Sequence, residues 1–246
     1  MTQPRASLRR FAGCQAGLAL AGVLCAPWSA FGQSPQTRPT ASCPPADQQA
    51  SLVGSSAATE PVIQKLRGAS FPELASVDLR VRTFQSQSDY LRTRFSMFRF
   101  LFVMRMRYFV DINPALFQQQ APPDGVCAIL AHELVHVVSL NRGNRIRRFG
   151  LVRLLSKSST VKFERAADLD AIHRGYGDGL KSYRNWVYAH IPADKLQEKR
   201  RNYFSPEEIA AIQEKTQKQP DPFVYWSKHV PLNLQEIQGG PKCDER

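Results

Sequence analysis

No two cysteines in this chain stand close enough to make a Cys-x-x-Cys pair. The five lie scattered at Cys14, Cys25, Cys43, Cys127 and Cys243, which argues against a cysteine-built structural zinc site. Acids are also scarce, 21 against 33 lysines and arginines, for a formal charge of +12. That balance favours anionic surfaces and acidic partners. No recognised nucleic-acid module accompanies it, so nucleic acid is not an expected partner. Past residue 32 no stretch reaches about 18 uninterrupted apolar residues, the minimum for a bilayer span. No internal repeat is found. What is there, 246 residues, suffices for one well-buried domain.

Residues 1–32 are expected to be a secretory signal peptide. Arg5, Arg9 and Arg10 form a basic start, residues 11–26 are mostly Ala, Gly, Leu and Val, and Ala30-Phe31-Gly32 places small residues before a cut. An uncleaved anchor is the alternative, although the apolar run is short for a span. Removal takes three arginines and no acid, leaving +9. Residues 33–58, rich in Ser, Pro, Gln, Thr and Ala, read as a disordered leader. The folded domain is expected over 59–246. Export to a periplasmic or extracellular space implies oxidising conditions. Cys127 is expected as a buried free thiol, and a Cys43–Cys243 disulfide, which would tie down both ends, stays open.

Between residues 125 and 141 the chain is apolar on nearly every face except for His132, Glu133 and His136. A helix of that kind is normally buried, and two imidazoles with a carboxylate in a core are costly unless something satisfies them. At ~100° per residue the two histidines sit one turn apart on one face, so both rings can reach one ion. Glu133 is too far round for a comfortable ligand but well placed to touch a water beside it. This is the H-E-x-x-H pattern of zinc hydrolases. The metzincin extension is absent, because Ser139 and Arg142 occupy its glycine and histidine positions. Downstream, Val161–Gly175 reads as a second helix stopped by Gly175. Glu164 is the expected third ligand from a separate helix. Asp168, one turn on, is expected to accept the free ring N–H of His132 and fix its orientation.

Elsewhere Glu60–Arg67 reads as a helix, and the alternation of Val77–Phe84 as a strand. Ser88 or Asp89 is expected to cap a helix through Tyr90, Leu91 and Phe95, and Phe98–Val103 has no clean period. Arg105–Asn113 reads as a second strand, ended by Pro114. Leu180–His190 is an expected helix, and Ser205-Pro206-Glu207-Glu208 a capping box opening another through Gln217. Arg142, Arg145, Arg147, Arg148, Arg153 and Lys157 interleave with apolar residues. They read as a covering helix with a solvated basic face, or alternatively as a peripheral contact with an anionic membrane surface. Strand, helix, strand and buried helix is the order of a zincin lobe, whose last strand runs beside the metal cleft and pairs with extended peptide.

His132-Glu133-Leu134-Val135-His136 followed by Glu164-Arg165-Ala166-Ala167-Asp168, an E-x-x-A-D element, resembles the HtpX-type zinc metallopeptidases, and Asn113-Pro114 after the strand is similar too. The resemblance covers residues 77–175. It implies a mainly helical α+β, zincin-like domain with a small sheet beside the active-site helix. It also implies one zinc per chain and endopeptidase activity on exported proteins or peptides. Where the family carries His-Pro and a following arginine, this chain has His229-Val230-Pro231 followed by Gln235 and Glu236. Glu133 is the expected general base. His229, ahead of Tyr183 and His190, is the candidate donor to the oxyanion, and His173 is read as a helix C-terminal residue. The alternatives are an exported zinc-bearing chaperone or assembly factor with little proteolysis, and a basic binding module with an incidental motif.

Overall fold

A computed structural model describes residues 59–142, 157–218 and 222–239. The signal segment, the leader, the Cys43–Cys243 pairing and most of the basic cluster lie outside the described residues. The described architecture is α+β, mostly helical with one three-stranded mixed sheet. In chain order the elements are α1 (Thr59–Ser70), β1 (Asp78–Thr83), β2 (Leu91–Phe95), α2 (Met97–Leu101), β3 (Arg107–Ile112) and α3 (Ala115–Gln118). They continue with α4 (Pro123–Arg142), α5 (Lys157–His173), α6 (Gly177–His190), α7 (Ala193–Asn202), α8 (Pro206–Lys218), α9 (Phe223–Trp226) and α10 (Leu234–Gly239).

The sheet order is β1-β3-β2, with β1 parallel and β2 antiparallel to β3. This corrects two expectations. Leu91–Phe95 is a strand, not a helix, and it, rather than the central strand β3, borders the cleft beside His136 and Glu164. The reason is a period of two. Leu91, Thr93 and Phe95 face inward beside Ile112, Val110 and Tyr108, while Arg92 and Arg94 face outward beside Asp111 and Phe109. The turn ahead of β2 is organised by Ser86, whose Oγ accepts from Ser88 N at 3.3 Å and Asp89 N at 3.2 Å. The start of Phe98–Val103, the stretch without a clean period, belongs to the short helix α2, N-capped by Ser96.

Fifteen of the twenty residues of α4 are buried. By length and composition it could cross a membrane, yet 83% of that window is buried inside the fold, as suits a core helix. Each large apolar side chain buried there contributes about 1.5–3 kcal/mol, and that surplus offsets the cost of the polar trio in its middle. Pro123 opens the helix, where a missing N–H costs nothing. At the far end of α5, Gly175 has φ 94°. Gly175 N donates to Ile172 O at 2.9 Å and Tyr176 N to Ala171 O at 3.0 Å, the Schellman pattern that stops a helix at glycine.

Helix α6 packs directly on α4 because Gly179 lacks a side chain. A Cβ there would sit 2.5 Å from Asp124 O and 2.7 Å from Ala128 Cβ, so Gly179→Ala must force the helices apart. Overpacking of this kind costs about 1–3 kcal/mol. The expected outcome is a Tm lower by about 2–4 °C per kcal/mol, with weakened metal affinity because α6 carries Arg184 (below). A Tm equal to the parent protein's in differential scanning calorimetry would show that the two helices are not in close register.

Candidate metal centre

His132, Glu133 and His136 are buried on α4, with 1%, 5% and 5% of their surface exposed. Glu164 reaches them from the first half of α5. Its Oε2 lies 3.3 Å from His132 Nε2 and 3.1 Å from His136 Nε2. The three donor atoms all fall within 4.8 Å of one another. The structure thus brings together the three residues that the sequence named as ligands.

Whether a cation fits is decided by the donor set. Donors bound tetrahedrally at about 2.0–2.1 Å stand roughly 3.3 Å apart, and the two nitrogen–oxygen edges match that spacing. His132 Nδ1 lies 2.8 Å from Asp168 Oδ1, a close but bent approach that favours a proton on Nδ1. Its Nε2 then presents a lone pair towards a carboxylate oxygen, an arrangement that asks for a positive charge between them. Two imidazole nitrogens and one carboxylate oxygen suit zinc among the common divalent ions. The residues present therefore fit the ion. Without it, a proton substitutes. Burial pushes the His132 pKa down, but the Asp168 carboxylate outweighs this and raises it to about 10. Burial pushes Glu164 up, yet the His136 and His132 rings hold its carboxyl well below the usual range. The ring of His136 is clamped by stacking on Phe163, with centroids 4.5 Å apart.

Asp168 is fully buried and saturated. Its Oδ1 accepts from Arg184 Nη2 at 2.7 Å and its Oδ2 from Phe204 N at 3.0 Å. Burial alone would raise its pKa; Arg184 first, then His132, lowers it. Arg184 comes from α6 and Phe204 from the loop before α8, so three elements converge behind His132. The capping box of α8 forms as expected, with Glu208 N donating to Ser205 Oγ at 3.2 Å and Ser205 N to Glu208 Oε2 at 2.8 Å. The same Glu208 also accepts from Arg165 Nη1 at 2.9 Å. This buried pair ties the helix start to the residue beside Glu164 and holds loop 203–205 in place.

Glu133 lines the cleft beside His136 and Glu164. Thr93 Oγ1 of β2 lies 2.7 Å from Glu133 Oε2 and 3.0 Å from the Glu133 carbonyl oxygen. Its single proton belongs to the shorter, charge-assisted bond. The cleft has a volume of about 610 Å³ and runs between β2 and α5, with Glu133, His136, Glu164, Thr93, Phe163 and Tyr203 in its wall. An inner cavity of about 30 Å³, room for one water, adjoins it and is lined by Glu133, Tyr183, Arg184 and Tyr203 among others.

Thr93, Arg184 and Tyr203 are site residues that the sequence reading missed. The ring of Tyr203 lies 5.9 Å from that of His132. Burial, then the Glu164 carboxylate, raises its pKa far above the usual phenol value, so it remains a hydrogen-bond donor. His229 is not brought to the cleft: it stacks on Tyr225 with centroids 4.7 Å apart and lines a separate groove with Lys162 and Trp226. Tyr183 lines the inner cavity. His190 stacks on Trp186 at the surface, and His173 lies in the last turn of α5 against Phe223. Cys127 corrects another expectation. It is buried but disulfide-bonded rather than a free thiol, and its partner cysteine lies outside the described residues.

The class defined here is an α+β protein with a candidate two-histidine, one-glutamate metal centre behind a cleft. Comparison with protein-family models, with curated proteins and with solved structures gives no match.

Proposed function

We propose that this chain is a zinc-dependent endopeptidase, a soluble exported relative of the HtpX-type metallopeptidases with a zincin-like fold, that hydrolyses exported proteins or peptides. The convergence of His132, His136 and Glu164 on one point, with Glu133 beside it at the cleft, carries this reading. Zinc held by those three residues would supply Lewis-acid polarisation of a carbonyl and would acidify water at the site. Glu133 takes a proton from the attacking water and delivers it to the leaving amine as the C–N bond breaks. Thr93 fixes one Glu133 oxygen and leaves the other for that proton. Asp168 keeps His132 in the tautomer and orientation that present Nε2. Tyr203, a protonated phenol in the cleft wall, replaces His229 as the donor to the developing oxyanion. An extended peptide lies along β2, adding a strand to that edge.

The purified protein is expected to contain one zinc and to digest casein, with both lost on chelation and restored by zinc. Stoichiometric zinc with no turnover would favour the assembly-factor reading, and absence of zinc would remove both.

A further inference from the structure

Six of the eight residues from Met97 to Met104 are large, apolar and exposed: Met97, Phe98, Leu101, Phe102, Val103 and Met104. Phe98 is 63% exposed, Phe102 65% and Val103 73%. They form α2 and the turn after it, a tip between β2 and β3. Scattered exposed apolar residues need no explanation, but a contiguous group on a polar rim marks a contact surface. Val103 has φ 56°, a backbone that glycine or asparagine adopts easily and a β-branched residue only under strain. The strain is borne at a position whose side chain has no core to fill.

The rim is basic. Between Asp78 and Ile112 the chain has seven arginines and three aspartates. The strand register puts Arg80, Arg82, Arg92, Arg94 and Arg107 on one face of the sheet, away from the core. Asp111, 1% exposed, lies under three of them, with Arg82, Arg92 and Arg94 at 3.0, 3.2 and 2.7 Å. Asp78 is met by Arg107 at 2.7 Å, Arg80 at 3.4 Å and Arg99 at 3.8 Å. Each carboxylate is shared among three guanidiniums, so the face keeps a net positive charge.

We propose that the apolar tip and the arginine face together dock this protein on an anionic lipid bilayer, with Phe98, Leu101, Phe102 and Val103 entering the acyl boundary and the arginines meeting headgroup phosphates. An apolar tip framed by arginine is the composition of interfacial anchors. A nucleic acid fits less well. On the arginine face the aromatic rings are already covered, Phe109 by Arg82 at 3.6 Å and Phe84 by Arg92 at 4.1 Å. The two exposed rings of the tip, Phe98 and Phe102, lie against each other with centroids 4.5 Å apart among Met97, Leu101, Val103 and Met104, an apolar group that gains nothing from phosphates. Met97, Arg92 and Arg94 also line the mouth of the metal cleft, so docking brings that mouth to the lipid surface. The docking itself does not depend on the peptidase reading.

The test is co-sedimentation of the full chain with phosphatidylcholine vesicles, with and without phosphatidylglycerol. The N-terminal segment is common to all variants, so differences between them report the tip and the face. Binding is expected to be stronger to the anionic vesicles and to fall by at least about tenfold in Phe98→Ser/Leu101→Ser/Phe102→Ser, which removes most of the buried apolar surface. Arg80→Gln is expected to lower it about fivefold. Val103→Asn suits the left-handed backbone, so it is expected to raise the Tm while weakening binding, which separates docking from folding. Equal binding to neutral vesicles, or unchanged binding in the triple-serine and Val103→Asn variants, overturns the proposal. So does retention of an oligonucleotide in place of anionic vesicles, or a dimer that the triple substitution abolishes without any vesicle binding.

Discussion

Glu133→Gln is expected to leave zinc content at one per chain and to lower kcat for casein or a peptide substrate by about 10²–10⁴-fold, the usual contribution of a positioned acid–base group. The amide keeps the shape of the carboxylate and can still accept from Thr93, so packing around α4 is retained. It cannot take a proton from water, and the step it serves is lost. KM is expected to change little, because Glu133 acts on the attacking water rather than on ground-state peptide binding. Thr93→Val tests the same assignment more gently: it frees the Glu133 oxygen now fixed at 2.7 Å and is expected to reduce kcat with zinc retained. Metal analysis alongside steady-state kinetics checks both. Turnover of Glu133→Gln at the parental rate would remove Glu133 from the chemistry, and loss of zinc in that variant would make it a structural residue of the cluster.

The grouping of His132, His136 and Glu164 was legible in the sequence because their spacing is local. His132 and His136 share a helix face by their four-residue separation, and Glu164 and Asp168 do so on the next helix. Their supports were not. Thr93 meets Glu133 across 40 positions, and Asp168 is met by Arg184 across 16 and by Phe204 N across 36. A backbone N–H carries no side-chain signature, and an arginine on an amphipathic helix gives no sign of whether it faces water or a buried acid. Strand β2 was lost because only five residues carry its alternation and Thr93, polar by type, occupies an inward position. The period was present in Leu91-Arg92-Thr93-Arg94-Phe95, and the charge of Arg92 and Arg94 was its clearest mark. Helix α7 has no buried residue, so it lacked the apolar stripe by which helices are read. Lys199 on α7 pairs with Asp89 at 2.8 Å, a contact no local pattern announces.

Asp168→Asn is expected to have the largest effect on stability, because it strips the charge from a fully buried carboxylate and strands the guanidinium of Arg184 beside it. Breaking a buried pair from one side costs about 3–5 kcal/mol, which at about 2–4 °C per kcal/mol in a chain of this size is a large fall in Tm. Zinc affinity is expected to drop about 10–100-fold as His132 loses its anchor. Asp168→Asn/Arg184→Met separates the two effects: removing both charges recovers much of the stability but leaves His132 unanchored, so zinc affinity stays low. The pH response of the chelated protein follows from the same pair. Burial opposes both charges, but Arg184 and His132 lower the Asp168 pKa, and Asp168 raises that of His132 to about 10. The Asp168 contribution is therefore present above its unfolded value of about 3.9 and lost as pH falls through the folded value. The His132 contribution is complete below about 6.5 and lost as pH rises towards about 10. Thermal melts of the metal-free protein are expected to show both declines, with the alkaline one diminished in Asp168→Asn and suppressed by zinc in the parent, where the metal takes the place of the His132 proton. A Tm in Asp168→Asn equal to that of the parent, with zinc bound as tightly, would mean that His132 is positioned by something other than this carboxylate.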